Sequence, residues 1–233
     1  IIGPDKPYSF RQTVSQEEIA PAMYGWIAKN YPNIKRVAQI NPNDTSGWDT
    51  AAAIREATKK NGMEIGAEEL FERGSKDMYP FLTRILASKP DLIDVAVSAP
   101  GDGSVIVKQL YELGYKGAKA WTCGTNPQQI VKLCGDEAAE GLLFAYGQDL
   151  NGPKSTPETR ALAKRYLEKF KEPLSPHHVT SYAMLEIFAN AMEKTGTIDT
   201  EKVSQEVEKT HKFDTSFGPI VLLGKQKYGI DRQ

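Results

Sequence analysis

Residues 36–66, RVAQINPNDTSGWDTAAAIREATKKNGMEIG, constrain the fold more than any other stretch of the 233-residue chain. A short apolar strand (Val37, Ala38, Ile40) stops at a polar loop, Asn41 to Gly47. A helix follows and ends at Gly62, and a second strand begins at Met63. Such a βαβ unit forces parallel strands, and a parallel sheet needs helices over both faces. The loop falls at the carboxyl end of the first strand, where open α/β sheets place their ligands.

The pattern extends to both sides. Tyr8 to Gln12 reads as a strand. Ser15 and Glu18 have the spacing of a capping box ahead of Ile19, Met23, Trp26 and Ile27 at helical period. Pro21 falls early in that helix, where its missing N–H costs least. After the strand 36–40 come helix 48–61, strand 63–71, helix 77–88 and strand 92–98. Helix 103–113, strand 118–122, helix 127–134 and strand 141–146 complete the run. The strand LIDVAVS is nearly all apolar, as a strand covered on both faces should be. Residues 147–157 are polar and rich in Pro and Gly, and read as a crossing. Beyond them lie helices 157–170, 177–195 and 200–209, then a strand over 217–223. The last third is thus poor in strand, and its two long helices need a cover.

Basic and acidic residues number 29 and 30, so no charge excess points to nucleic acid or a membrane surface. No apolar run nears the roughly 18 residues of a spanning helix. The start, Ile1-Ile2-Gly3-Pro4, lacks the pattern of a signal peptide. Two cysteines, Cys123 and Cys134, make no disulfide framework, and a single bridge and two buried thiols both remain open.

Motif tests for catalysis return little. Neither G-x-G-x-x-G nor G-x-x-x-x-G-K-[ST] occurs. Gly101-Asp102-Gly103-Ser104 opens a helix and reads either as an anion cradle or as a tight turn with a cap. His177 and His178 are adjacent and diverge on a helix, His211 is remote, and the cysteine spacing fits no zinc site, so no metal is expected. Asn41, Asn43 and Asp44 make only half a calcium loop. Cys123 precedes a helix N-terminus without a histidine partner. Asp44, Asp49 and Asp102 lie at strand ends, and Asp49 and Asp102 sit where helix caps would be. What remains is a rim of small polar groups at successive strand ends: Asn43, Thr45 and Ser46; Ser98, Ala99 and Gly101; Gly124, Thr125 and Asn126. This rim suits hydrogen bonding to a small solute without turnover.

Several segments resemble type I periplasmic solute-binding proteins of ABC transporters, and the branched-chain amino-acid receptors among them most. Phe10-Arg11 followed by the strand–NDTSGWD–helix unit matches the family's FR-T and YG-x-G segments. GSKDMYPFLTRI (74–85) matches a G-x-x-D-F-x-x-x-L-x-x-I pattern. KPDLIDVAVSAPGDGSVIVKQLYELGY (89–115), GDEAAEGLLFAY (135–146), VTSYAMLEIFANAMEKTG (179–196) and FDTSFGPIVL (213–222) follow in family order.

The resemblance implies two α/β lobes, each a parallel-sheet three-layer αβα sandwich, that close on a ligand. Residues 1–13 then form the first crossing and residues 14–146 the second lobe. Residues 147–223 form the end of the first lobe, left incomplete, and residues 224–233 start a third crossing. On that plan the chain is a fragment, its ligand affinity is weak and it self-associates. The implied function is an extracytoplasmic receptor for an amino-acid-like or carboxylate solute. Its partner is a membrane permease, and its location is periplasmic or extracellular, lipid-anchored in a Gram-positive source. No cofactor, nucleic acid or enzymatic activity is implied. The alternatives are a sensing domain of the same fold and an α/β enzyme using Cys123. The implied ligand-binding residues are Ser46, Trp48, Ser98, Ala99, Pro100, Gly124, Thr125 and Asn126, with Arg11 and Tyr146 at the hinge. Ser46 replaces the family tyrosine, Ala99 and Pro100 its aromatic, and Thr125 the glutamate that pairs with a ligand ammonium. These departures put an α-amino acid in doubt.

Overall fold

A computed structural model describes residues 8–11, 14–122, 127–145, 150, 155–210, 212–222 and 230–231. The chain divides into two compact units, Gln16–Tyr146 and the remainder, Ile1–Ser15 with Gly147–Gln233.

In the first unit, α1 (Gln16–Asn30) leads into β1 (Arg36–Pro42), α2 (Thr45–Lys60), β2 (Glu64–Phe71) and α3 (Tyr79–Ala87). Then come β3 (Leu92–Asp94), α4 (Pro100–Glu112), β4 (Ala118–Trp121), α5 (Pro127–Cys134), the single turn α6 (Asp136–Ala139) and β5 (Leu142–Phe144). The five strands form one sheet in the order β2-β1-β3-β4-β5, and every pair is parallel. Period-two alternation divides the strand residues between two cores. Val37, Leu92 and Ala120 join Tyr24 and Ile27 of α1 and Ile54 of α2. Ala38, Ile40, Ile93 and Trp121 join Leu82 and Ile85 of α3, Ile106 and Leu110 of α4 and Ile130 of α5. The result is the expected three-layer α/β arrangement.

Several boundaries correct the sequence reading. Residues 8–11 are not a strand. The 92–98 strand stops at Asp94, because this buried carboxylate draws the chain into a turn in which Ala96 takes φ 50°. The first turns of α2 and α4 begin earlier than periodicity suggests. Asp44, not Asp49, is the N-cap of α2, and its side chain accepts a hydrogen bond from Gly47 N. Asp102 lies inside the first turn of α4, whose N-cap is Ala99.

The second unit holds α7 (Pro157–Phe170), α8 (Pro176–Thr195), α9 (Thr200–Thr210), β6 (Lys212–Thr215), β7 (Gly218–Leu222) and β8 (Ile230–Asp231). The three strands are antiparallel. Sequence reading gave β7 but not its hairpin partner β6, whose short run over a tight turn carries little periodic signal. Gly218, at φ 102°, follows that turn in a conformation that favours glycine. Thr156 caps α7 and also donates to Ser216 O (2.7 Å), while Glu186 of α8 accepts from Ser216 N (3.0 Å). At the start of α8, Ser175 and His178 form a capping box, and the His178 ring stacks on Tyr166 at 4.8 Å. Ala183, Ile187, Val207 and Phe213 make the local core.

Candidate ligand-binding site

Crossovers leave β1 towards β2 and leave β2 towards β3, so the direction of winding reverses between β1 and β3. At such a switch point the loops part and leave a crevice outside the carboxyl ends of the strands. Residues 43–48, the loop after β1 with the first turn of α2, and residues 95–100, the loop after β3 with the start of α4, place two of the three expected ligand segments at this point.

The loop after β1 is held by a close approach. A Cβ on the buried Gly47 would lie 1.8 Å from Pro42 O, so only glycine lets α2 start against the strand end. Asp44 Oδ1 accepts from Gly47 N (3.0 Å) and from Ser46 Oγ (2.6 Å). Its Oδ2 accepts from Arg73 Nε (2.6 Å), and Arg73 Nη2 donates to Ser46 Oγ (2.8 Å). Hydrogen bonds from the Arg73 guanidinium, then from Ser46, hold the Asp44 carboxyl well below the usual carboxylate range. Trp48 is 53% exposed, and its Nε1 donates to Asn43 Oδ1 (3.1 Å). Asn43 in turn donates through Nδ2 to Glu72 Oε1 (2.9 Å).

The loop after β3 is shaped from below by Asp94, which is fully buried. Its Oδ1 accepts from Ala96 N (2.8 Å) and Thr122 N (3.1 Å). Its Oδ2 accepts from Tyr24 OH (2.9 Å) and from the Thr122 hydroxyl. One carboxylate thus ties α1 to the turn after β3 and to the end of β4. Burial raises the carboxyl above its ordinary value despite these donors, and burial with the Asp94 charge raises the Tyr24 hydroxyl well above its own.

Each expected site residue can now be placed. Ser46 and Trp48 are exposed on the first turn of α2, and Ala99 is exposed as the N-cap of α4 with Pro100 half-buried behind it. Ser98 is buried, and its hydroxyl donates to Val95 O (2.6 Å), so that proton is spent within the turn. Gly124, Thr125, Asn126, Cys123 and Tyr146 lie outside the described residues. Arg11 is described and belongs to the second unit. Cys134 is a free, buried thiol, and burial pushes it up, so it is neither bridged nor poised as a nucleophile. Among the described residues no cluster of His, Cys, Asp or Glu is arranged to hold a metal.

Sequence reasoning missed the loop after β2. Residues 72–76 run along the rim from β1 to α4: Glu72 and Arg73 reach the 43–46 loop, and Gly74 N donates to the buried Asp102 (3.0 Å). Gln109 of α4 accepts from Met78 N (2.8 Å) and donates to Lys76 O (3.0 Å). An arginine beside a glycine at a strand end was the only local signal.

A model of the periplasmic binding protein family matches residues 3–230. The chain belongs to the periplasmic binding protein family. An amino acid binding protein of Pseudomonas aeruginosa is 27% identical over 190 residues, covering 81% of this chain and 49% of its own. The same organism's leucine-, isoleucine-, valine-, threonine- and alanine-binding protein is 22% identical, covering 86% and 52%. The chain therefore spans about half the length of the curated relatives it matches. Among solved structures, a Streptococcus pneumoniae branched-chain amino acid transporter substrate-binding protein in complex with isoleucine superposes with a TM-score of 0.82 at 20% identity, over 97% of this chain and 62% of that one. A solute-binding protein from R. palustris in complex with benzoate superposes at 0.77 and 16% identity, over 93% and 58%. At these identities the superpositions establish the fold of this family member, a type I periplasmic-binding-protein arrangement.

Proposed function

We propose that the chain is part of an extracytoplasmic solute receptor serving an ABC-type importer. It holds a small amino-acid-like or carboxylate solute without turnover. In this reading residues 14–146 are one ligand-binding lobe, residues 147–223 belong to the other, and Arg11 and Tyr146 lie at the hinge. The carrying observation is the switch point between β1 and β3, flanked by the segments that carry exposed Ser46, Trp48 and Ala99. Family membership and the named ligands of the relatives support a binding role. The partner is then a membrane permease, and the protein works in the periplasm or at the cell surface.

The rim itself supports binding over catalysis. Asp44, Ser46, Ser98 and Asp102 each have a hydrogen-bond partner within the protein, and among these residues none is set as a nucleophile beside a base. The test is calorimetric titration with small amino acids, carboxylic acids and amides. Saturable heat with one solute class, and no change in the solute afterwards, is expected. Chemical conversion of a solute, or no binding across the three classes, would overturn the reading.

A further inference from the structure

A guanidinium has two edges that can hold an oxyanion, the Nε/Nη2 edge and the Nη1/Nη2 end. In Arg73 the first edge is occupied inside the protein, Nε by Asp44 and Nη2 by Ser46. Nη1 has no partner among the described residues, and the side chain is 41% exposed. The fork that remains is therefore presented at the rim of the crevice in a fixed plane. Asp44 does not simply cancel its charge. That carboxylate also accepts from Gly47 N and Ser46 Oγ at the positive N-terminus of α2, which share its charge.

The carboxylates of the neighbouring loops are already engaged. Glu72 accepts from Asn43, Asp102 is buried on Gly74 N, and Asp77 Oδ1 accepts from Tyr79 N (3.0 Å). Glu72 and Asp77 keep their charge in these contacts, but each is committed to a donor of the protein, whereas the Nη1/Nη2 end of Arg73 is open to an incoming carboxylate. An apolar surface lies close by. Trp48 is tied through Asn43 to Glu72, the residue next to Arg73.

We propose that Arg73 is the specificity-determining residue of this rim, and that it selects a solute bearing a carboxylate with no requirement for an α-ammonium group. This rests on the solute-receptor reading and narrows its ligand class. Ser46 and Asp44 act as positioning residues that hold the guanidinium plane.

The experiment compares isocaproate, isocaproamide, L-leucine, benzoate and benzamide by calorimetry on the wild-type chain, R73Q and R73K. Thermal melts establish that each variant is folded. In the wild type each acid should bind about tenfold or more tighter than its amide, as expected of a charge-assisted bidentate contact. Added salt should weaken the acids and not the amides. R73Q should erase the acid–amide difference, and R73K, which keeps the charge and loses the planar fork, should retain part of it. Equal affinity for acid and amide in the wild type overturns the inference, as does a folded R73Q that keeps the acid preference. Leucine binding tighter than isocaproate in both wild type and R73Q also overturns it, while leaving the receptor reading intact. Failure of all five probes to bind the wild type overturns both.

Discussion

The two units handle apolar surface differently. In the first unit the central strands are sandwiched, and Ile40, Leu92, Ile93 and Trp121 are wholly buried beneath α1 and the crossover helices. In the second unit, α7 packs Leu162 and Tyr166 against Leu174 and Val179, and α8 packs Ala183 and Ile187 against Val207 and Phe213. They leave Leu167, Phe170 and Leu185 at 51, 52 and 68% exposure. A parallel sheet brings its own covering helices, because every return crossover must pass over a face. A short antiparallel hairpin brings none, and from β6 it is Phe213 that joins Ala183, Ile187 and Ala191 of α8 in a core.

The first unit should therefore be the more sensitive to a break at its centre. Asp94→Ala leaves Ala96 N, Thr122 N and two hydroxyls without this acceptor in a buried site, and should cost about 4 kcal/mol of unfolding free energy in urea titrations. Asp94→Asn is the control. Its Oδ1 still accepts from the two N–H groups, and an amide nitrogen in place of Oδ2 can donate to both hydroxyls. The asparagine variant should be as stable as the wild type near neutrality or more so. The sign follows from the raised carboxyl. A carboxyl that holds its proton more tightly when folded contributes stability fully present below its unfolded value, and loses it as pH rises through its folded value. Wild type minus Asp94→Asn should thus decline from pH 3 upward and then level off. A rising difference would show that the four donors outweigh burial.

The equivalent cut in the second unit is Ile187→Ala, expected to cost about 3 kcal/mol if that core closes as tightly. A clearly smaller loss would mean that the helices relax into the space, as an open-faced layer should. Ser175→Ala removes one half of the α8 capping box and should cost about 1 kcal/mol.

The same contrast explains what could be read from the sequence. Where crossovers repeat, periodicity located α3, α5 and β2 to within a few residues. Pro157 and Pro176 marked helix starts because a proline costs little at a first turn. The reading failed where distant residues decide. Asp94 ends a strand that hydrophobicity would extend to Ser98, because its partners Tyr24 and Thr122 lie 70 and 28 residues away. Arg73 entered no motif, since its bond to Asp44 spans 29 residues and joins loops that only the sheet order brings together. Ser46 and Trp48 could be placed on the rim from the βαβ unit alone, but not what holds them there.

Asp44 and Arg73 are both partly exposed, so their pair should be worth less than about 1 kcal/mol and be sensitive to salt. Its carboxyl lies below its ordinary value, so its contribution is present above the unfolded value and lost as pH falls through the folded one. Asp44→Asn should reduce the loss of stability on acidification. An unchanged acid limb would mean that Arg73 is held by Ser46 and packing instead, and would weaken the fixed-fork argument.

The smallest effect on stability should come from the exposed face of the second unit, and there the contrast between the units is tested most directly. Leu185 contacts solvent over most of its surface, so Leu185→Ser removes little that folding buries and should change the unfolding free energy by less than about 0.5 kcal/mol. Tyr182, Leu185 and Met192 follow one another at helical spacing, and all three are exposed. A contiguous apolar stripe of that kind is more stable covered than wet. Sedimentation of the chain should therefore depend on concentration, and Leu185→Ser should move it towards the monomer with its melting temperature unchanged. A wild-type chain that stays monomeric at every concentration would show that this stripe tolerates water. The asymmetry between the units would then be one of strand content alone.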